Sequence, residues 1–247
     1  MLDLALFRRR NFAVGNIATV AIYAALTAPT FLLTVFLQQV AGYAAIQAGL
    51  ALLPVTIIMF SLSPLFGRLA AKHGSRLFMT AGPIVAAVGF ALMSRVEAEA
   101  DYVTQLLPGV LVFGLGLAST VAPLTQAILG DIDERHAGIG SAINNAIADV
   151  GPQLINAVVF VAITASFYAS LGTHVPGLDT SASRIRQQIS PLNRPAQGVP
   201  AQEAAAARQA SADAFHVAMM IGAVLLLGGA AVNAAGIRNE AAAAPRG

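Results

Sequence analysis

The sequence has no cysteine in its 247 residues, so the protein has no disulfide, no thiolate metal site and no cysteine nucleophile. It also lacks the Gly-x-Ser-x-Gly turn of a serine nucleophile, the zinc-binding His-Glu-x-x-His helix and the phosphate-binding Gly-x-x-x-x-Gly-Lys loop. His174 and His216 are too isolated to indicate a metal site. We therefore predict that the protein is not an enzyme, that it holds no metal and that it requires no cofactor.

Charged residues are also scarce. They make up 11% of the chain, whereas soluble domains carry roughly 25%. Hydrophobic residues make up 57% and the mean hydropathy is +0.72. The formal net charge of +2 is too small to indicate a surface that binds nucleic acid. These values predict an integral membrane protein whose first partner is the lipid bilayer.

Six segments are apolar and long enough to cross a bilayer core, for which roughly 20 apolar residues suffice. They comprise about residues 13–38, 45–67, 77–94, 104–129, 138–169 and 214–237. The predicted fold class is an all-α, polytopic membrane protein with six transmembrane helices. Residues 170–213 are predicted to form a long external loop, in which the alanine-rich residues 201–212 favour some helix. That loop either covers the outer mouth of the protein or is functionally neutral.

Basic residues lie unevenly on the two sides of these spans. One side carries Arg8, Arg9, Arg10, Arg68, Lys72, Arg76, Arg135, Arg238 and Arg246, and the other carries Arg95, Arg184, Arg186, Arg194 and Arg208. Cytoplasmic loops are the richer in lysine and arginine, and long external loops count little in this rule. We therefore expect a multi-pass protein of the plasma membrane with both termini in the cytoplasm. The apolar run after the first arginines is too long for a cleavable signal peptide.

Polar residues recur along the first predicted span at the spacing of one helix face. At 100° per residue they occupy an arc about 100° wide, and they are Asn16, Thr19, Tyr23, Thr27, Thr30, Thr34 and Gln38. A polar group in hydrocarbon costs free energy unless a neighbour or a cavity satisfies it. The stripe therefore predicts a helix bundle around a polar path, with these side chains lining a substrate cavity.

The fifth span carries a second polar constellation. From Asn145, the residues Asp149, Pro152 and Asn156 follow at offsets of 4, 7 and 11, with Gln153 adjacent, so they share one helix face. We expect Asn145, Gln153 and Asn156 to line the cavity as well. An ionisable residue deep in a span costs at least about 2.5 kcal/mol and normally faces a cavity or a partner, so Asp149 is the candidate for proton coupling or for binding a cationic substrate. Alternatively, Asp149 lies near the cytoplasmic end of the helix and accepts hydrogen bonds from Asn145 or from a basic loop residue.

Proline and small residues interrupt the spans. Prolines within or near them kink helices, and they are Pro29, Pro54, Pro64, Pro83, Pro108, Pro123 and Pro152. In the fourth span, Gly109, Gly114, Gly116 and Ala118 allow close contact between helix backbones. Kinks and close contacts suit helices that rock, although they are common in membrane helices generally.

The connection between the second and third spans has the most specific pattern in the chain. Gly67 and Gly74 permit a tight cytoplasmic turn, and Arg68, Lys72 and Arg76 supply cations. Such cations hold the carbonyl ends of helices or anionic lipid head groups. The stretch resembles the repeated cytoplasmic loop motif of the major facilitator superfamily, which reads glycine, three residues, aspartate, a basic residue, one residue, glycine and a basic pair.

The chain departs from this motif at the acidic position, where Ala71 stands, and its basic pair is reduced to Ser75 and Arg76. The departure weakens any charge-relay role for the loop. Wider stretches look like the fourteen-helix drug:proton antiporter branch of the superfamily, namely residues 6–12, 36–43, 47–54, 121–124 and 138–145. The resemblance covers essentially residues 1–247 and corresponds in that branch to the last six helices.

The resemblance implies that the chain forms the C-terminal half of a transporter. Superfamily members have two six-helix halves, with substrate bound near the midplane between them. The implied function is proton-coupled efflux of hydrophobic or cationic drug-like compounds by alternating access. The implied partners are a small-molecule substrate, protons, and either a missing N-terminal half or a second copy of the chain.

The start of the chain also bears on this expectation. Met1-Leu-Asp-Leu reads as a linker inside a longer protein, so we expect the recorded start to be an internal methionine. Two other readings remain open at this point. The chain is either an inactive or accessory membrane fragment, or a six-helix carrier that works as a homodimer.

Overall fold

The computed structural model describes residues 4–99, 101–130 and 137–238, and every regular element in these ranges is helical. The α-helices are α1 (Arg10–Gln39), α2 (Ala45–Ala51), α3 (Leu53–His73), α4 (Ser75–Met93), α5 (Leu107–Gly130), α6 (Ala137–His174), α7 (Ser183–Gln188) and α8 (Ala201–Gly236). A 3-10 turn at Leu4–Arg8 precedes α1, and a π-helical turn at Tyr102–Leu106 leads into α5. The predicted all-α fold is therefore confirmed.

Six stretches of helix are long and apolar enough to cross a membrane, which confirms the predicted polytopic architecture. They are α1, α2 together with α3, α4, the π-turn together with α5, α6, and α8. The second span is broken at Leu52, directly before α3. Pro54 causes this break because proline has no N–H to donate and restricts the residue before it.

The six spans pack with α1, α4, α5 and α8 in the centre and with α3 and α6 on opposite flanks. Among the described residues, α4 packs against α5 and α8, and α1 packs against α8 and α6. The flanking helix α3 packs mainly against α5, so most of its surface stays uncovered. Phe60 on α3, for example, is 86% exposed. One flank of the bundle is thus open to lipid or to another protein.

Glycine makes the contact between α4 and α5 unusually close. A Cβ atom added at Gly89 of α4 would lie 2.5 Å from the backbone nitrogen of Phe113, and one added at Gly116 of α5 would meet the backbone of Ala86. The aromatic rings of Phe90 and Phe113 stack beside this contact, with their centroids 4.5 Å apart. The backbones therefore touch along the line that the small residues of the fourth span predict.

The first and last spans meet at one end of the bundle. The Nε atom of Arg10 donates to the carbonyl oxygen of Gly236 at 2.7 Å, and an NH2 atom of Arg76 donates to that of Ala234 at 2.5 Å. These carbonyls have no intrahelical partner at a helix C-terminus, and cations are favourable there. Because α1 begins where α8 ends, both ends of the six-span bundle lie on the same side.

The connection between the last two spans is shorter and more structured than the sequence predicts. Residues 170–174 belong to α6 and residues 201–213 belong to α8, so the predicted loop 170–213 is corrected to residues 175–200. The alanine-rich start of α8 continues the helix because alanine has the highest helix propensity. We call residues 175–200, which include α7, the outer cap.

The outer cap is anchored to three helices. Ile189 and Leu192 are buried, and the hydroxyl of Tyr168 on α6 donates to the carbonyl of Ile189 at 3.1 Å. The backbone N–H of Leu192 donates to the hydroxyl of Ser211 on α8 at 3.3 Å. Arg194 donates to the carbonyl of Gln38 at the end of α1 at 3.2 Å. The cap therefore ties the ends of α1, α6 and α8 together on the side opposite the termini.

Candidate functional site

Helices α1 and α6 lie side by side and run in the same direction, because they are the first and fifth of six successive spans. Their contacts follow one register along the two helices. Asn144 contacts Asn16, Asn156 contacts Thr27 twelve residues further along α6, and the rings of Phe31 and Phe160 meet at 6.4 Å. Of the predicted fifth-span constellation, Asn156 thus bonds a residue of the predicted α1 stripe.

The contact nearest the N-terminal ends of both helices is an amide cluster. Nδ2 of Asn144 donates to Oδ1 of Asn16 at 3.1 Å and lies 3.4 Å from the hydroxyl of Thr19. Asn16 is only 2% exposed and Thr19 only 1%, and each also donates to its own helix backbone. These two residues of the predicted stripe lie in the helix interface rather than on an open wall. Sequence reasoning missed Asn144 because it lies off the helix face that the fifth-span pattern defines.

The second feature of the interface is the approach of Tyr23 on α1 and Asp149 on α6. The half-buried ring of Tyr23 is close enough to the exposed carboxylate of Asp149 for the two groups to interact electrostatically. Tyr23 lies near the midpoint of α1, which spans Arg10–Gln39. Asp149 lies between Asn144 and Asn156 on α6, so it is level with the part of α1 between Asn16 and Thr27.

The sequence also offers the alternative that Asp149 accepts hydrogen bonds from Asn145 or from a basic loop residue, and its surroundings bear on this alternative. Gln153 donates to the backbone oxygen of Asp149 at 3.2 Å and not to its carboxylate. Within the described ranges, neither Asn145 nor a basic side chain forms a hydrogen bond or an ion pair with it. Arg135, which the sequence places before this helix, lies outside the described residues. The Asp149 side chain is exposed.

The third contact is a hydrogen-bonded pair that is incompletely satisfied. Nδ2 of Asn156 donates to the hydroxyl of Thr27 at 2.7 Å, and that hydroxyl donates to the carbonyl of Tyr23 at 2.9 Å. Asn156 is only 7% exposed, and its Oδ1 atom is buried without a hydrogen-bond partner among the described residues. A buried acceptor of this kind costs about 1–3 kcal/mol. The interface between α1 and α6 is thus polar and not optimally closed in this conformation.

The remaining predicted cavity residues lie further along the two helices. Thr30 and Thr34 are half-buried, and the hydroxyl of Thr34 donates to the Thr30 carbonyl at 3.2 Å. Gln38 is half-buried below the outer cap, whereas Asn145 and Gln153 are exposed on α6. The N-terminal part of the stripe, from Asn16 to Thr27, is therefore hydrogen-bonded to α6, whereas its C-terminal end at Gln38 lies beside the outer cap.

An apolar groove of about 880 Å³ lies between α1 and α6, mostly between Asp149 and the N-terminal ends of the two helices. Its walls include Ile17, Val20, Ile143, Ile147 and Val150, with Asn16 as a polar contribution. At its upper end Gly151 lets the helices approach, because a Cβ atom there would lie 2.8 Å from a methyl group of Val20. The volume lies within the 300–1,000 Å³ range typical of small-molecule sites.

The predicted loop motif divides between structural and exposed positions. Gly67 is buried against α5, where a Cβ atom would lie 3.2 Å from Nε2 of Gln126. Gly74 separates α3 from α4 with a φ of 91°, a value that glycine adopts readily. Arg76 binds the end of α8 as described above, whereas Arg68 and Lys72 are exposed. Of the three cations, only Arg76 is shown holding a helix carbonyl.

Comparison with known proteins assigns this architecture to a family. The sequence profile of the Major Facilitator Superfamily matches residues 2–155, which is more than half of the chain. The match includes the polar stripe of α1, the loop motif and Asp149.

Curated relatives agree with the profile. The chain is 33% identical to the riboflavin transporter RibZ of Clostridioides difficile over 141 residues, which is 57% of this chain and 31% of that protein. It is 29% identical to the multidrug resistance protein Stp of Mycobacterium tuberculosis over 175 residues, which is 71% of this chain and 32% of Stp. It is 34% identical to the multidrug export protein EmrB of Escherichia coli over 146 residues, which is 59% of this chain and 28% of EmrB. The chain thus spans about a third of the length of these relatives.

Proposed function

This chain belongs to the Major Facilitator Superfamily, and we propose that it supplies the C-terminal six-helix half of a transporter of the fourteen-helix drug:proton antiporter branch. The proposed activity is efflux of hydrophobic or cationic drug-like compounds, driven by protons and achieved by alternating access. Two of the relatives described above, Stp and EmrB, are named for multidrug resistance and export, which supports this choice. The aligned regions cover about a third of Stp and EmrB, and in this proposal a second half completes the transporter.

The observation that carries the proposal is the position of Asp149 on α6. It lies between Asn144, which bonds Asn16, and Asn156, which bonds Thr27, and next to Val150 and Gly151 of the groove. A charge in the membrane is costly and is normally retained for a proton, ion or substrate pathway. When Asp149 binds a proton, its charge disappears and the cost of enclosing it between two halves falls. When a cationic substrate binds, the substrate takes the place of the proton. Competition between the two for one carboxylate would couple opposite fluxes.

The walls of the groove suit a broad range of apolar ligands. They are almost entirely apolar, and Asn16 on α1 contributes a polar side chain. Specific sites combine apolar walls with a small number of placed polar groups. We propose that Asn16, Thr19, Tyr23, Thr27, Thr30, Thr34, Gln38, Asn145, Gln153 and Asn156 line or support this cavity. The buried oxygen of Asn156 would gain a partner when α1 and α6 shift apart.

We propose that the side on which α1 begins and α8 ends is cytoplasmic. The structure groups Arg8, Arg9, Arg10, Arg68, Lys72, Arg76 and Arg238 on that side. The opposite side carries Arg95 and the arginines of the outer cap and of the start of α8. The excess of cations supports a cytoplasmic location for both termini. The loop with Gly67, Arg68, Lys72, Gly74 and Arg76 would then face the cytoplasm.

The test is Asp149→Asn in the chain co-expressed with its N-terminal half, measured by dye efflux in membrane vesicles under an imposed proton gradient. We expect proton-driven efflux to be abolished while insertion is unchanged, because an amide does not exchange a proton at neutral pH. Asp179→Asn in the outer cap is the matched control, since it makes the same chemical change at an exposed site outside the groove, and it should retain efflux.

Two substrates separate the roles of the carboxylate. If Asp149 carries the proton, efflux of both a cationic dye and a neutral one is lost, and downhill exchange of each persists. If it only binds cationic substrate, the neutral dye is still exported against its gradient. Unchanged proton-driven efflux of both dyes by Asp149→Asn would refute the proposed role.

A further inference from the structure

Two cavities on the side opposite the termini meet at one residue of α8. The first, of about 530 Å³, is lined by polar side chains that include Glu97, Glu99, Arg208 and His216. The second is an apolar groove of about 390 Å³ that starts at the same His216 and continues to Leu225. His216 lines both, so the polar cavity and the aliphatic groove adjoin at this residue.

The apolar groove has the length of one lipid leaflet. From His216 to Leu225, α8 advances by about 14 Å at 1.5 Å per residue. Half of a bilayer core about 30 Å thick is about 15 Å. The groove is also unoccupied by protein, because Met220 is 48% exposed and Val224 is 63% exposed. An acyl chain fits this groove, and its head group would then lie at the polar cavity.

The charges of the polar cavity select the head group. Two carboxylates, from Glu97 and Glu99, face one guanidinium, from Arg208, and that guanidinium already donates to the carbonyl of Val40 at 3.3 Å. Nε2 of His216 lies 2.9 Å from the carbonyl of Val96. Because a carbonyl only accepts, this ring nitrogen is the donor in the contact. The cavity is therefore rich in acceptors and in negative charge.

The loop that carries the two glutamates is held in place before any ligand binds. The N–H of Val96 donates to the carbonyl of Met93 at 3.2 Å, and that of Glu97 donates to Oε1 of Gln105 at 3.3 Å. The nearby Asp101 is engaged elsewhere, since it accepts hydrogen bonds from the N–H and hydroxyl of Thr104, which hold the pKa of its carboxyl below the ordinary value. Glu97 and Glu99 remain as the carboxylates directed to the cavity.

We propose that this surface binds one molecule of phosphatidylethanolamine from the adjacent leaflet, with the ammonium on Glu97 and Glu99 and one acyl chain along His216–Leu225. The ammonium group offers three N–H donors to the carboxylates. A choline head group has the same charge but no N–H donor, and phosphatidylglycerol is anionic and is repelled. With the orientation proposed above, the site belongs to the outer leaflet. It lies on α8, away from the groove between α1 and α6, and does not depend on the proposed transport activity.

The head-group test is lipid retention on the purified full chain, measured by native mass spectrometry with the palmitoyl-oleoyl forms of phosphatidylethanolamine, phosphatidylcholine and phosphatidylglycerol. We expect phosphatidylethanolamine to be retained roughly tenfold better than either of the others, and Glu97→Gln with Glu99→Gln to abolish that preference. Glu203→Gln is the matched control, because Glu203 lies on α8 but lines neither cavity. Equal retention of the three lipids, or an unchanged preference in the double variant, would overturn the proposal.

The acyl-chain test uses a variant that fills the groove without touching the charges. Val224→Trp should lower retention of phosphatidylethanolamine, whereas Leu227→Trp, on an exposed part of α8 outside the groove, should not. Both residues are exposed, so neither change disturbs the core. The alternative occupant is a cationic amphiphile, and the single-chain cation dodecyltrimethylammonium tests it. If it binds at the glutamates and phosphatidylethanolamine does not displace it, the site is one for cationic amphiphiles and the proposal fails.

Discussion

Asn156 and Thr27 show how one pair of side chains makes a helix interface specific while one polar atom stays unsatisfied. The amide donates to the hydroxyl, but its oxygen is buried without a partner among the described residues. Hydrogen bonds between membrane helices contribute little net free energy, on average about 0.6 kcal/mol, because the alternatives are also partly bonded. Leaving a buried group without any partner costs more than that. The pair therefore sets the register of α1 against α6 more than it stabilises it.

We predict that Thr27→Val destabilises the protein by about 1 kcal/mol, because the isosteric methyl group leaves the Asn156 amide without its acceptor. Thr34→Val is the control, since the Thr34 hydroxyl donates only to the backbone of its own helix. The free energies of unfolding are compared in the same detergent. Adding Asn156→Leu to Thr27→Val should recover part of the loss, because both polar partners are then gone. Equal stability of the two threonine variants would contradict the interpretation.

At the scale of elements, the bundle combines one very close helix contact with one loose one. The backbones of α4 and α5 touch through Gly89, Gly109 and Gly116, so these helices cannot slide without separating. The α1 and α6 pair instead meets through scattered polar contacts beside an open groove. A bundle with both close and loose helix contacts suits a protein in which some helices shift while others stay packed.

The same substitution at two glycines should change stability in opposite directions. Gly116→Ala places a methyl group into the backbone of Ala86, so α4 and α5 must separate and the protein loses stability. Gly228→Ala on α8 meets no atom within 4 Å, so it should gain up to about 1 kcal/mol from the lower backbone entropy of alanine. Thermal unfolding of both variants measures the difference. The close-contact interpretation fails if Gly116→Ala is as stable as Gly228→Ala.

At the scale of the whole molecule, the exposed surfaces of α3 and α6 indicate what must surround the bundle. The flank formed by α3 is largely unpacked, and α6 exposes Val150 and Leu154 next to the polar groups of Asp149 and Gln153. Lipid satisfies aliphatic side chains but not a carboxylate. The polar face of α1 and α6 therefore needs water or a second protein surface opposite it.

We predict that the chain expressed alone inserts into the membrane but exports no dye, and that co-expression with an N-terminal half restores efflux. The physical reason is that alternating access needs two walls around the site. Vesicle efflux and cross-linking measure activity and assembly together, with the N-terminal half alone as the control. Efflux by the chain alone, together with a discrete cross-linked dimer, would support a homodimeric carrier instead. Inactivity even with the second half would favour an accessory or inactive fragment.

Much of this architecture follows from the sequence because bilayer thickness and hydrophobicity act on each segment separately. The six spans, the membrane location and the polar residues of α1 and α6 could all be read from length, composition and the 3.6-residue period. The turn at Gly74 and the close contact at Gly116 were also predictable, because each depends on the absence of a side chain at that one position.

The pairing of helices was decided only in three dimensions. Asn16 and Thr19 belong to the predicted stripe, yet they are buried because Asn144 on another helix satisfies them. The outer cap is ordered because buried Ile189 and Leu192 and a hydrogen bond from Tyr168 hold it, contacts that span many residues. A periodic pattern defines which residues share a face of one helix, whereas the partner of that face depends on the packing of all six spans.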